Sequence, residues 1–173
     1  MALDTFLIID GYNIIHAWPE LEALTKVSLE SARHKLMDIV SNYQGVSGEQ
    51  VILVFDGYLV KGSSGSVIKH NGIFVVYTKE SQTADSYIEK TVTDLPKQYH
   101  VKVATNDGLE QAIILGQGAT RITARELKQL IEHEEKSIRK NYTEKRPAKS
   151  NMLMDNVDEK TLQWLEMMRR KKE

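Results

Sequence analysis

The sequence has no cysteine among its 173 residues. A disulfide framework and a zinc site built on thiolates are therefore excluded, and the composition suits a reducing cytoplasm. No apolar run approaches the roughly 18 residues that a membrane span requires. The N-terminus also lacks the charged region followed by an apolar one that marks a signal peptide. We therefore expect a cytoplasmic protein without a membrane partner.

Neither sign of charge is in large excess, since the formal net charge is −1. The charge is unevenly spread, because residues 136–173 hold 11 Lys and Arg against 6 Asp and Glu. An acidic body with a basic tail favours a cation-binding body and a tail that meets polyanions, although a solvated, lysine-rich terminus would look the same. We expect one α/β domain over residues 1–140 and a basic linker with a C-terminal amphipathic helix over residues 141–173.

The most informative stretch covers residues 7–13. Residues 7–9 are apolar and partly β-branched, which is typical of a buried parallel strand. The strand runs into Asp10, Gly11 permits a turn, and Asn13 follows. Chemistry in open α/β sheets lies beyond the carboxyl ends of the strands. Asp10 is therefore a candidate site residue, although turns and helix caps also use aspartate.

Apolar runs of the same kind predict further strands over residues 51–55, 72–77, 100–104 and, briefly, 120–122. The second strand ends at Asp56, and the fourth is followed by Asp107. Because the strands alternate with helical patterns, they predict a parallel sheet. The acids at the strand ends would then share one edge of that sheet with Asp10.

Helix-start signals place two more acids near this edge. Thr83 is predicted to cap a helix that carries Asp85 in its first turn and Glu89 one turn later. Acid in a first turn also complements the helix dipole, which alone would explain Asp85. Ser28 and, within a capping box, Thr123 are predicted to begin two other helices.

Residues 58–71 show no clear periodicity and are predicted to form a long loop. The loop contains a Gly/Ser run flanked by Lys61 and Lys69. Long irregular loops inside compact domains are usually functional or disordered. A basic loop near an acidic edge could hold a phosphate backbone, and an inert excursion fits the pattern equally well.

The strand-end and helix-start acids would need a cation if they converge. Two carboxylates ~4 Å apart repel by about 4 kcal/mol at an effective dielectric near 20. Three together must either bind protons or recruit a cation. Oxygen ligands without cysteine favour Mg²⁺ or Mn²⁺ over zinc. Such an ion lowers the pKa of a bound water and neutralises charge on a phosphate, which is the chemistry of a phosphodiesterase.

Five segments in this order resemble a known family: residues 9–13, 54–57, 72–78, 83–89 and 104–107. The set is similar to the YacP-like branch of the NYN domains, within the PIN-like nuclease superfamily. The resemblance covers residues 5–140 and, less distinctly, the basic tail. It implies a Rossmann-like sheet flanked by helices and a metal-dependent endoribonuclease that uses Mg²⁺ or Mn²⁺.

The resemblance also assigns roles by position. It makes Asp10, Asp85 and Asp107 metal ligands and, with Asn13, catalytic residues. Asp56 and Glu89 are less direct members of the metal site that act through water. Better-studied PIN nucleases often have a more complete acidic quartet, so the number of ions stays open.

This branch further resembles the ribosome-associated endoribonuclease of Gram-positive bacteria, which cleaves messenger RNA. The implied partners are mRNA and the ribosome, with no DNA expected. Cationic side chains of the loop and tail are then the candidates for RNA contact. They are Lys61, Lys69, Arg169, Arg170, Lys171 and Lys172.

Two other function classes fit parts of the pattern. A non-catalytic RNA- or ribosome-binding module would keep the fold and use the acids structurally. A small-molecule phosphohydrolase of the haloacid dehalogenase type needs a second aspartate two residues after the first. Tyr12 stands at that position, which disfavours the phosphohydrolase.

Overall fold

The computed structural model describes residues 4–59, 64–141 and 154–171 of the chain. Within these ranges a six-stranded sheet consists of β1 (Thr5–Asp10), β2 (Gln50–Phe55), β3 (Ser66–His70), β4 (Ile73–Tyr77), β5 (His100–Ala104) and β6 (Thr120–Ile122). The strand order is β3-β4-β2-β1-β5-β6. Neighbouring strands are parallel except for β3 with β4. The predicted Rossmann-like sheet is confirmed.

Helices cover both faces of this sheet. They are α1 (Gly11–Ala17), α2 (Pro19–Thr25), α3 (Leu29–Ser47), α4 (Ala84–Asp94), α5 (Gly108–Gly116), α6 (Ala124–Asn141) and α7 (Met154–Arg170), with a short 3₁₀ turn at Gly57–Leu59. The predicted caps are confirmed, because Ser28, Thr83 and Thr123 each accept a hydrogen bond from a backbone N–H three residues on. Every helix in the described ranges is too short or too polar to cross a lipid bilayer.

Alternating side chains of β1 divide the core into two layers. Leu7 and Ile9 pack with α1, α3 and α6 on one face. Phe6 and Ile8 pack with α4, α5 and α7 on the other. Since successive side chains of a strand point to opposite faces, an uninterrupted apolar run is what a strand covered on both sides requires. Polar side chains are therefore confined to the ends of the strands.

The chain reverses its direction of travel across the sheet at β1. It moves from β1 to β2 on one side, and later to β5 on the other side. The connections that leave the carboxyl ends of β1 and β5 therefore lead to opposite faces, and a crevice opens between them. The site predicted at the end of β1 falls at this crevice.

Strand β3 was not predicted, since the region before Asn71 lacks clear periodicity. It is an edge strand antiparallel to β4, and the two are joined by a tight turn at Asn71 and Gly72. These two residues have φ angles of 44° and 89°. Two consecutive positive φ angles define the type I′ hairpin turn, for which Asn-Gly is the preferred sequence.

The C-terminal helix α7 packs on the body of the protein. Leu165 and Met168 are buried in the layer that contains α4. The hydroxyl of Tyr87, on α4, donates a hydrogen bond to the carbonyl oxygen of Leu165 at 3.2 Å. The division of the chain into a domain and a tail at residue 140 stays a prediction.

We expect Gly57→Ala to lower the free energy of unfolding by about 2–3 kcal/mol. A Cβ at this position would lie 1.7 Å from the carbonyl oxygen of Thr78. The two segments cannot separate freely, because the N–H of Gly57 donates to Thr78 Oγ1 at 2.9 Å. Urea unfolding followed by tryptophan fluorescence measures the change.

The matched control is Gly45→Ala on α3. A Cβ there would have no described atom within 4 Å. Because alanine is favoured over glycine inside a helix, this change should raise the free energy of unfolding by about 0.5–1 kcal/mol. Equal unfolding midpoints for the two variants would contradict the argument from close approach.

Candidate metal centre

Three carboxylates meet in the crevice beside β1 and β5. Asp10 ends β1, Asp85 lies in the first turn of α4, and Glu110 lies in the first turn of α5. One oxygen from each carboxylate lies within 4.8 Å of the other two. Asp10 and Glu110 are buried, whereas Asp85 is exposed. This acidic cluster is therefore buried at Asp10 and Glu110 and has an open mouth, exposed to solvent, at Asp85.

Asp10 occupies the N-cap position of α1, but its side chain makes no well-formed capping hydrogen bond to that helix, which lies wholly in the described part of the chain. The N–H of Asn13 only faces its carboxyl group. Its side chain is 7% exposed. Gly11 allows α1 to start this close to the sheet, because a Cβ there would lie 2.3 Å from Cε1 of Phe55. The carboxyl group of Asp10 is therefore directed to the cluster.

Glu110 is held by a hydroxyl on one oxygen and is near Asp10 with the other. The hydroxyl of Thr105 donates to Glu110 Oε2 at 2.8 Å. Glu110 Oε1 is buried, and no N–H or hydroxyl group of the described residues donates to it. Without a cation, a proton shared with the carboxyl group of Asp10 is what can satisfy it. A cation would satisfy this oxygen, so the donor set fits a divalent metal ion.

The electrostatics of the cluster point the same way. Burial, with the charge of Asp85 as the next cause, raises the pKa of Asp10 to about 7. Burial, with the charge of Asp10 next, raises the pKa of Glu110 to about 9. Without a cation, the buried carboxyls therefore retain protons near neutral pH. A divalent ion would replace those protons.

Among the described residues, the other predicted acids lie outside the acidic cluster. Asp107 caps α5, since its Oδ1 accepts from the backbone N–H groups of Leu109 and Glu110 at 3.0 and 3.4 Å. Asp56 Oδ1 accepts from the N–H of Tyr58 at 3.0 Å, which closes a local turn. Their roles as metal ligands stay predictions.

Glu89 lies on α4 one turn after Asp85, as predicted. It is exposed and lines a groove beside the cluster. Its predicted role at the metal through water also stays a prediction.

Asn13 ties together the segments that carry the cluster. Its Oδ1 accepts a hydrogen bond from the N–H of Asn106 at 2.6 Å. Asn106 Oδ1 in turn accepts from the N–H of Ala124 at 2.8 Å, at the start of α6. These two bonds fix the loop after β5 relative to α1 and α6. The catalytic role of Asn13 stays a prediction, and its observed contact supports the loop that leads to Glu110.

The predicted RNA-contact residues are dispersed. Lys61 and Lys172 lie outside the described residues. Lys69 is exposed on β3 opposite Phe74. Because β3 runs antiparallel, Lys69 lies toward the amino end of the neighbouring parallel strand and away from the cluster.

Arg169 is engaged within the protein. Its guanidinium bonds the carboxylate of Glu166 at 2.8 and 3.4 Å and donates to the carbonyl oxygen of Ser64 at 3.2 Å. The side chains of Arg170 and Lys171 are 73% and 60% exposed. RNA contact by any of these residues stays a prediction, and the exposed pair is the better placed for it.

Sequence reasoning missed Glu110. The available signal was the spacing Asp107-x-x-Glu110, which resembles a capping box at the start of a helix that follows a strand. In such a box the glutamate bonds back to the N-cap backbone. Here its side chain turns inward to Thr105 and the cluster.

The sheet and its acidic cluster define a nuclease-like α/β domain. The sequence model of the YacP-like NYN domain matches residues 7–170, and the chain belongs to this family. The resemblance seen in the motifs is thereby confirmed. The chain is also 41% identical over 157 residues to the protein YacP of Bacillus subtilis (strain 168), which covers 87% of this chain and 91% of YacP.

Solved structures agree with this assignment. The crystal structure of Rae1 (YacP) from Bacillus subtilis matches with a TM-score of 0.68 and 39% identity, covering 95% of this chain and 94% of that one. A tryptophan-to-leucine variant of the same protein matches with a TM-score of 0.69 and 39% identity, over 81% and 85% of the two chains. Membership of this family is consistent with an RNA nuclease.

The raised pKa values predict how stability depends on pH. A carboxyl group whose pKa is higher in the folded than in the unfolded state binds more protons when folded, so its contribution to stability is lost as pH rises through the folded pKa. In chelator, we expect the melting temperature of the protein to fall between about pH 6 and about pH 9. The melting temperature of the Glu110→Gln variant, whose residue 110 cannot ionise, should fall less than that of the unmodified protein.

Differential scanning fluorimetry across this pH range measures the effect. Glu132→Gln, which neutralises an exposed acid on α6, should follow the unmodified protein. Parallel curves for Glu110→Gln and Glu132→Gln would show that Glu110 is ionised in the folded state and would contradict the assignment.

Proposed function

We propose that this protein is a metal-dependent endoribonuclease that cleaves messenger RNA and acts in association with the ribosome. The observation that carries the proposal is the convergence of Asp10, Asp85 and Glu110 within 4.8 Å at the crevice of the sheet. The family supports a nuclease and an RNA substrate.

Asp10, Asp85 and Glu110 are the residues that would hold the ion. An all-oxygen donor set suits Mg²⁺ or Mn²⁺. The ion would supply Lewis-acid activation of water and neutralise the negative charge that develops on the phosphodiester. In this proposal Asp107, Asp56 and Glu89 are outer members of the site, which take part without binding the ion directly.

The chain's own residues prepare the site for a cation. Burial of Asp10 and Glu110 holds protons that must leave before the ion is bound, so affinity for the ion should increase with pH. Thr105 fixes the carboxylate of Glu110 through one oxygen and leaves the other directed inward. Asp85 is exposed at the mouth, where a phosphodiester can approach.

The turn after β5 sets where Glu110 lies. Asp107 fixes the first turn of α5 by accepting from two backbone N–H groups. Asn13 anchors the preceding residue, Asn106. Both therefore serve catalysis in this proposal by holding Glu110 next to Asp10.

The proposed RNA and ribosome contacts use the basic end of α7. Arg170 and Lys171 present exposed cationic side chains there, and phosphate contacts supply most of the non-specific affinity for nucleic acid. A non-catalytic binding module would not need three carboxyl groups, two of them buried, within 4.8 Å of one another at the crevice.

Asp10→Asn and Glu110→Gln should each lower the rate of RNA cleavage at least about a hundredfold, a rise in the barrier of about 2.7 kcal/mol. Each change removes one charge from the set that would hold the ion. End-labelled RNA incubated with Mg²⁺ or Mn²⁺ and resolved on sequencing gels gives the rates. Chelator should abolish cleavage by the unmodified protein.

Glu132→Gln, remote on α6, serves as the charge-matched control and should cleave normally. Circular dichroism establishes that each variant is folded. Undiminished cleavage by folded Asp10→Asn protein would eliminate the mechanism and favour the non-catalytic RNA- or ribosome-binding module.

Ribosome association predicts that mRNA on translating ribosomes is cut faster than the same mRNA free in solution. The double variant Arg170→Ala, Lys171→Ala should lose this advantage, because two exposed cations near phosphates are removed. Mn²⁺ should raise the melting temperature of the double variant as much as it raises that of the unmodified protein. Mapping of the cut ends in both reactions gives the comparison.

Lys35→Ala, an exposed lysine on α3, is the control for loss of positive charge. Equal cleavage of free and ribosome-bound mRNA by the unmodified protein would argue against the ribosomal part of the proposal and leave the nuclease part intact.

A further inference from the structure

A groove leaves the acidic cluster between α4 and α5, and its walls differ in chemistry. The residues that line it are Asp85, Glu89, Leu109, Glu110, Ile113 and Ile114. Because Asp85 and Glu110 belong to both, the groove is continuous with the cluster. None of the described residues that line it is a lysine or an arginine.

The α5 wall is apolar and open to solvent. Leu109 is 75% exposed and Ile113 is 38% exposed, while Ile114 is buried beneath them. Leu109 directly precedes Glu110 of the cluster. Exposed apolar side chains beside a polar site form a surface on which the flat face of a ligand can pack.

The size and charge of the groove select the part of an RNA strand that fits. It holds about 50 Å³, which is room for a few water molecules. A nucleobase can therefore insert only its edge and must rest its face on the exposed wall. In the proposed site the ion held by the cluster takes the phosphate, and the adjoining groove, whose described lining residues include no lysine or arginine, is left for the uncharged base.

We propose that this groove is the subsite for the base of the nucleotide next to the scissile phosphate, and that Glu89 makes it selective for guanine. This inference rests on the proposed function. The two oxygens of a carboxylate accept two hydrogen bonds side by side. Guanine presents a ring N–H and an amino group side by side on one edge, so both can donate to Glu89. Leu109 and Ile113 pack on the face of the base.

The test separates binding from cleavage. Fluorescence anisotropy, with chelator present to prevent cleavage, measures the affinity of the full-length protein for RNA oligomers that contain one guanine or, in its place, inosine, which lacks the amino group. Leu109→Ala should weaken binding about fivefold to tenfold, because apolar surface that packs on the face of the base is lost. Leu115→Ala is the matched control, because Leu115 is 51% exposed on the same helix and lies outside the groove.

Selectivity is read from the guanine-to-inosine ratio. The unmodified protein should prefer guanine about tenfold, the usual effect of one hydrogen bond to a charged group. Glu89→Gln keeps only one acceptor and should remove most of this preference, whereas Glu132→Gln should retain it. Unfolding midpoints verify that Leu109→Ala and Glu89→Gln remain folded.

The outcomes distinguish the subsite from the proposed function. Equal affinities for Leu109→Ala and Leu115→Ala would overturn the subsite. It would also be overturned if Glu89→Gln preferred guanine as strongly as the unmodified protein does, or if the unmodified protein did not bind the oligomers. Cleavage of RNA without any groove effect would overturn the subsite alone. Groove-dependent binding by a protein that does not cleave RNA would support the subsite and overturn the proposed function.

Discussion

Repulsion among three carboxylates at the end of the first strand governs the arrangement of this edge of the sheet. Two of the three, Asp10 and Glu110, are buried, so water cannot screen them and folding alone keeps them close only by retaining protons. Holding these carboxyl groups close together therefore costs folding free energy, and it leaves them in a geometry that a divalent ion can use. Thr105, Asp107 and the Asn13–Asn106 pair supply the hydrogen bonds that keep the carboxylates in place.

Part of this arrangement could be predicted from the sequence because it follows from local rules. An apolar run that stops at Asp10 fixes a strand end, and Thr83 fixes a helix start with Asp85 in its first turn. Parallel topology then brings these two residues together. Asp107 also lies at a strand end, but an aspartate there can either bind a metal or cap the next helix. The sequence alone does not decide between these uses, because the choice depends on the direction of the neighbouring Glu110 side chain.

The remaining differences have physical causes of the same kind. Strand β3 is at the sheet edge, where none of its side chains is fully buried, so it lacks the continuous apolar run of the central strands. The Asn71-Gly72 pair was the usable signal for it. Arg169 could not be separated from Arg170 by sequence, because both are cations near the end of one amphipathic helix. Both contact Glu166, at 2.8 and 3.8 Å, and only the rotation of that helix decides that Arg169 is largely buried while Arg170 stays exposed.

The packing of α7 against α4 has a consequence for the order in which the protein is made. The helix that carries Asp85 receives its outer cover, including the bond from Tyr87 to Leu165, from a helix that follows all the other described elements in chain order. A growing chain therefore makes this cover later than the sheet and the other described helices. A nascent chain that has not yet reached α7 carries its acidic cluster on an incomplete core.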